Sequence, residues 1–150
     1  MPAHSFKAKM AQWGRVFGIE IPTDVSVALG IGTRVAVVGR VNDVPINETL
    51  VPSAGARHRL LLNAAVRKKA RVGAGDAVAV TIAKDPSNAV PSVPDDLADA
   101  LDILSGGKKR FDAWPAAQRR EMLLWIADAI NPEKRSRRIV RAVARVMEEV

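Results

Sequence analysis

The stretch 64-AAVRKKARVGAGDAVAVTIAKD-85 decides how this chain is read. A short basic helical segment, Ala64 to Arg71, leads through a Gly73-Ala74-Gly75-Asp76 turn into Ala77-Val78-Ala79-Val80-Thr81-Ile82, which alternates strictly as a strand does. Glycines that cradle a phosphate follow a strand and precede a helix N-terminus, so that backbone amides face the anion. Here the order is reversed and the third glycine of that motif is missing. The glycines therefore serve a tight turn, and Asp76 is expected to bond nearby backbone amides. The segment points to a small β-barrel.

The residues before it read as further short strands. Phe6, Ala8 and Met10 alternate with Lys7 and Lys9; Phe17, Ile19 and Ile21 share a face that Pro22 ends. Val35, Val37 and Val41 line one face of a longer strand, with Arg34 and Arg40 opposite and Gly39 permitting a bulge or a close backbone approach. Asn42-Asp43 is a turn signal, and Val44 to Val51 and Arg57 to Leu62 are the return strands. Thr23 or Asp24 is positioned to cap a helical turn through Leu29, closed by Gly30. Six or so short strands this close together fit a barrel or sandwich, not a doubly wound sheet.

Composition changes between Lys84 and Pro94, where Pro86, Ser87, Asn88, Pro91 and Ser92 form a linker. The expected division is a barrel over 1–85, a linker over 86–94 and a helical region over 95–150. Pro94 opens the first helix, with Asp95 and Asp96 favouring the positive end of its dipole. Ser105-Gly106-Gly107 closes it. Pro115 opens the second, whose Met122, Trp125, Ile126, Ala129 and Ile130 recur at core spacing. Asn131-Pro132-Glu133 starts the last helix, where Ile139, Val143, Val146 and Val150 form one stripe and Lys134, Arg138, Arg141 and Arg145 another. The fold class is thus α+β, a small N-terminal barrel followed by about three helices.

The chain has 150 residues, a net charge of +7 and no cysteine, which excludes disulfides, thiolate nucleophiles and cysteine zinc sites. No run approaches the roughly 18 apolar residues of a membrane span. Met1 to Lys7 lacks the features of a secretory signal, so a cytoplasmic location is expected. The positive excess lies in residues 1–90, with 12 Lys and Arg against 6 Asp and Glu; residues 91–150 hold 11 against 10. Such a charge suits anionic partners.

Each candidate residue has a structural reading beside its functional one. His58, between Arg57 and Arg59, either faces a barrel lumen as base or anion ligand, or hydrogen-bonds within the core. Arg67, Lys68, Lys69 and Arg71 are either phosphate contacts or a solvated helix face. Trp125 reads as core and Trp114, beside Phe111, as an anchor of the helices to the barrel. Trp13, in an expected turn between Gln12 and Gly14, is open to either role. Two histidines without carboxylates at ligand spacing give no metal site, no cofactor motif is present, and no catalytic motif stands out.

Ile21-Pro22, Leu29-Gly30, Arg34-Val35, Val38-Gly39-x-Val41-Asn42, Pro45, Leu50-x-Pro52, His58-x-Leu60, Val66-Arg67-Lys68 and Gly73-x-Gly75-Asp76-x-Val78-x-Val80 resemble the N-terminal double-split β-barrel of the YdeI/OmpD-associated, or bacteriocin-protection, family. Val93-Pro94-x-Asp96-Leu97, Ala100-Leu101, Phe111-Asp112, Arg119-Arg120-Glu121, Trp125-Ile126-x-x-Ala129 and Glu133-x-Arg135-x-Arg137-Arg138-Ile139 look like its helical region. Ile130 and Lys134 depart from that family's usual lysine and threonine. The resemblance implies a role in protection against antimicrobial peptides, with no established reaction, and a barrel similar in class to AbrB-like transcription regulators.

The leading expectation is a non-enzymatic binding protein that holds a small molecule or peptide in a cleft between barrel and helices, with Trp13, Arg40, His58 and Arg67 as contacts. The alternative is nucleic-acid binding through Lys68, Lys69, Arg71, Arg135, Arg138 and Arg141. An enzyme comes third, and requires His58 beside a carboxylate. Oligomeric state is not encoded in any pattern found.

Overall fold

The structure, a computed structural model, describes residues 3–30, 32–55, 57–85 and 90–148. Among them are strands β1 (His4–Lys9), β2 (Ala11–Trp13), β3 (Val16–Glu20), β4 (Val35–Val41), β5 (Val44–Ser53), β6 (Arg57–Leu61) and β7 (Ala77–Lys84). Helix α1 (Thr23–Leu29) lies between β3 and β4, and α2 (Ala64–Ala70) between β6 and β7. Four helices follow: α3 (Asp95–Ile103), α4 (Gly107–Asp112), α5 (Ala116–Ala127) and α6 (Pro132–Glu148).

The strands pair antiparallel in the order β1-β7-β4-β5-β6-β3-β2. Only Met10 separates β1 from β2, yet these strands form opposite edges of the sheet. The sheet must curl to bring those edges within one residue, which makes a half-barrel and an α+β fold. Strand β5 supplies the bend: Val44 to Leu50 pair with β4, and Val51 to Ser53 with β6.

Local chemistry accounts for the turns. Asn42 and Asp43 have φ of 44° and 68°, the left-handed pair that a two-residue hairpin requires and that Asn and Asp tolerate. The Asn42 side chain also accepts from Ala79 N at 2.8 Å and donates to Ala70 O at 3.3 Å, tying the hairpin to β7 and α2. Asp76 accepts from Gly73 N at 2.7 Å, as its turn position suggests. Gly39 is a close approach: a Cβ there would lie 1.8 Å from the Thr81 carbonyl oxygen.

Some local expectations are corrected. Ala11 to Trp13 is a strand, not a turn, because pairing with Val16 to Gly18 satisfies it; three residues carry too short a period to announce it. Helix α1 is preceded by Pro22 with no side-chain cap, so neither Thr23 nor Asp24 caps it. The described C-terminal residues form the expected helical region, with the six-residue α4, too short for a readable periodicity, beside the three longer helices. Asn131 does cap α6, accepting from Lys134 N at 3.1 Å. Pro86, Ser87 and Asn88 of the expected linker and Val150 of the α6 stripe lie outside the described residues.

Two hydrophobic clusters result. Ile19, Ile21, Val37, Val41, Leu50, Leu60, Val78 and Ile82 fill the half-barrel. Leu97, Leu101, Phe111, Trp114, Ile126, Ile139 and Val146 fill the space among the helices. Trp114 therefore belongs to the helical cluster, 5.6 Å from Phe111 between ring centroids, and does not anchor the helices to the barrel. Among the described residues no helix is long and apolar enough to cross a membrane.

Candidate functional site

Trp13, Arg40, His58 and Arg67 do not converge. His58 is completely buried: its N–H donates to Ser26 Oγ at 3.1 Å, and Nε2 lies 2.8 Å from the Thr33 carbonyl, so Nε2 carries the proton. It is bonded within the wall of the half-barrel, to a backbone carbonyl and not to a carboxylate. Arg40 is exposed on β4, on the face opposite the buried Val37 and Val41. Trp13 and Arg67 both reach the seam between half-barrel and helices, each engaged in its own stack. The Arg59 guanidinium sits 4.1 Å from the centre of the Trp13 ring, held by Glu20 at 3.1 Å. Arg67 sits 4.1 Å over Phe17 and donates to Asp95 Oδ2 and to the Leu62 carbonyl, both at 2.7 Å.

The seam sets polar contacts beside apolar side chains, among them Phe17, Val51, Leu123 and Leu124. Asp95, in the first turn of α3, accepts from Arg67 and also from Ala64 N at 2.7 Å, so one carboxylate joins both parts. Arg34 meets Asp128 at 3.3 Å, and Ser92 N donates to Glu48 Oε1 at 3.3 Å. Burial pushes the Glu48 carboxyl above its ordinary range, against the lowering effect of hydrogen bonds from Ser92. Phe17, Glu48, Thr49, Leu123 and Arg135 line a cavity here of about 50 Å³. That volume suits a few waters, not a ligand of ordinary size.

A roomier hollow lies among the helices. On α5, Gln118, Glu121, Met122 and Trp125 follow the three- and four-residue spacing of one helix face; on α6, Lys134, Arg138, Arg141 and Arg145 do the same. Trp114, Gln118, Glu121, Trp125, Arg141 and Arg145 are among the residues bordering an open groove of about 500 Å³. A second hollow of about 270 Å³ lies beside Trp125, bordered by Lys134, Arg137, Arg138 and Arg141. The Arg138 guanidinium stands 5.0 Å from the Trp125 ring centre and donates to the Trp125 carbonyl, and Arg145 stands 5.8 Å from the Trp114 ring centre. Trp125 is accordingly half-buried, packed against the helical cluster on one side and bordering both hollows.

The other cations predicted as anion contacts divide in two. Lys68, Lys69 and Arg71 are exposed on α2 and at its left-handed end, in the barrel part. Arg135 is not on the outer surface with Arg141. It points inward from α6 and forms a two-pronged pair with Asp96, at 2.6 and 3.0 Å, with both side chains 8% exposed. The periodicity of α6 places residue 135 near the apolar stripe of Ile139 and Ala142, so its inward direction was readable; its partner, on another helix, was not. Sequence reasoning also missed Glu48 and Arg59, which alternate unremarkably along their strands. Among the described residues no group of three or more His, Cys, Asp or Glu side chains is placed to hold a metal ion.

Comparison with known proteins follows the same division. Residues 6–82 match the family described as Domain of unknown function (DUF1905), and residues 91–149 match the one described as Bacteriocin-protection, YdeI or OmpD-Associated. No curated protein matches the chain. With all but the outer ends of β1 and β7 inside the first match and the four described C-terminal helices beginning inside the second, the chain belongs to the bacteriocin-protection, YdeI or OmpD-associated family and carries an N-terminal DUF1905 domain.

Proposed function

We propose that this protein is a non-enzymatic binding protein in bacterial protection, and that it holds a small molecule or peptide in the groove between α5 and α6. The family match supports the protective role. The observation that carries the binding site is the groove itself: about 500 Å³, floored by two tryptophans and edged by arginines, within the size range of small-molecule sites. This moves the ligand away from the seam, where Trp13 and Arg67 are already stacked and the cavity is a tenth as large. Thermal-shift and calorimetric screening against antibiotics, peptides and anionic metabolites tests the reading. Binders lost on Trp125→Ala, together with loss of protection in cells carrying that variant, support it. A screen without binders, or full protection by the variant, removes it.

A second reading, nucleic-acid binding, is favoured by one observation: Lys134, Arg138, Arg141 and Arg145 form a cationic row along α6, and Lys68 and Lys69 are exposed on α2. It expects affinity that falls steeply with salt and weakens on replacing Lys68, Lys69, Arg138 and Arg141. Gel shifts at two salt concentrations decide it, and no shift at the lower one rules it out.

A further inference from the structure

We infer that the ligand of the α5/α6 groove is a small organic phosphate monoester; the inference rests on the groove being the binding site. Three arginines on successive turns of α6 face this region. Arg138 and Arg145 each stand near a tryptophan, 5.0 and 5.8 Å from the ring centre, and Arg141 between them is exposed and borders both hollows. Neighbours three and four apart on a helix stand about 5–6 Å from one another, close enough for two guanidinium groups to bracket one tetrahedral dianion. Arginine is the side chain whose planar fork matches phosphate oxygens in pairs. A guanidinium already leaning on an indole loses less freedom when it binds.

The surroundings narrow the class. Among the described residues Glu121 is the one carboxylate bordering the groove, against Arg141 and Arg145, with Lys134 and Arg137 just beyond Trp125. A cationic peptide would enter against that charge. Single-stranded nucleic acid needs open aromatic faces for its bases, whereas Trp125 and Trp114 each carry an arginine. Met122 and the remaining indole surface offer an apolar floor, so the phosphate carries an organic group and the groove holds one such molecule. A free metabolite and a lipid headgroup share this chemistry.

The test uses the full chain in low salt. Phenyl phosphate, phenol, inorganic phosphate and a short single-stranded oligonucleotide are titrated by calorimetry, and phosphatidylcholine vesicles with and without phosphatidic acid are used in co-sedimentation. Phenyl phosphate is expected to bind more tightly than either fragment, and Arg141→Ala to weaken it about tenfold or more, the loss of a charge-assisted hydrogen bond. Arg141→Lys recovers part of that loss, and Arg40→Ala, on the barrel, changes nothing. Binding only to phosphatidic acid vesicles assigns the lipid source, and binding of phenyl phosphate in solution the metabolite source; either supports the inference when Arg141→Ala weakens it about tenfold or more.

Equal affinity for phenol and phenyl phosphate, insensitivity to Arg141→Ala with an unchanged melting temperature, or an oligonucleotide that binds far more tightly overturns it. If a neutral ligand is lost on Trp125→Ala, the groove stands and the phosphate fails. If phosphate binds at Arg141 but protection survives the groove variants, the phosphate stands and the protective reading of the groove fails.

Discussion

Replacing Asp96 by alanine should be among the most damaging single changes available in the helical part. The Asp96 and Arg135 side chains are each 8% exposed and joined by two hydrogen bonds, so the variant leaves a guanidinium buried with Ile126 O, at 3.5 Å, as its remaining observed partner. Breaking a buried pair from one side costs about 3–5 kcal/mol, because the other charge stays desolvated. A protein of this size holds about 5–15 kcal/mol in total. At about 2–4 °C per kcal/mol the melting temperature falls by roughly 6–20 °C.

Urea denaturation followed by tryptophan fluorescence measures the loss, provided the slope with denaturant is unchanged. Two comparisons isolate the cause. Asp128→Ala breaks the Arg34 pair, whose side chains are 44% and 35% exposed, and should cost only about 0–1 kcal/mol. Replacing Asp96 by leucine together with Arg135 by methionine removes both charges and should recover most of the loss. The reasoning fails if Asp96→Ala costs no more than Asp128→Ala, or if the double variant is as unstable as the single one. Because this pair fixes α6 to the start of α3, it also holds one wall of the groove in place.

Three further outcomes follow from individual contacts. The folded value of Glu48 lies above its ordinary 4.5 because burial outweighs the bonds from Ser92, so its contribution to stability is complete below that value and is lost as pH rises through the folded value. Glu48→Gln should therefore gain on the parent across that window in denaturation series from pH 4 to 8, and a difference independent of pH contradicts this. Ser26→Ala leaves the buried His58 N–H without its 3.1 Å acceptor and should cost about 1–3 kcal/mol in the same assay; a loss of a few tenths shows that the amide finds another partner. Gly39→Ala sets a methyl group against the Thr81 carbonyl and should cost about 1–3 kcal/mol or more, with faster amide exchange in β7; unchanged exchange there refutes the close approach.

Much of the fold was legible because it is written in local chemistry. Alternation in Ala77 to Ile82 gives β7, the Asn42-Asp43 pair gives the hairpin, Asn131 caps α6, and Asp76 closes its own turn. Each depends on residues a few positions apart, whose geometry the backbone fixes before any tertiary contact forms. Segments too short to show a period, such as β2 and α4, escaped this reading.

The amino-acid sequence by itself determined the longer strands and helices, the reversed glycine turn of residues 73–76 and the family to which they belong. The tertiary structure alone decided what the charged and aromatic side chains do. Arg135 turns inward to Asp96, 39 positions away, while Arg141, six residues further along the same helix, stays in solvent. His58 disappears into the barrel wall, Trp13 takes Arg59, and Trp125 takes Arg138. Pairings across such distances depend on which faces the curled sheet and packed helices bring together, and no local period encodes that.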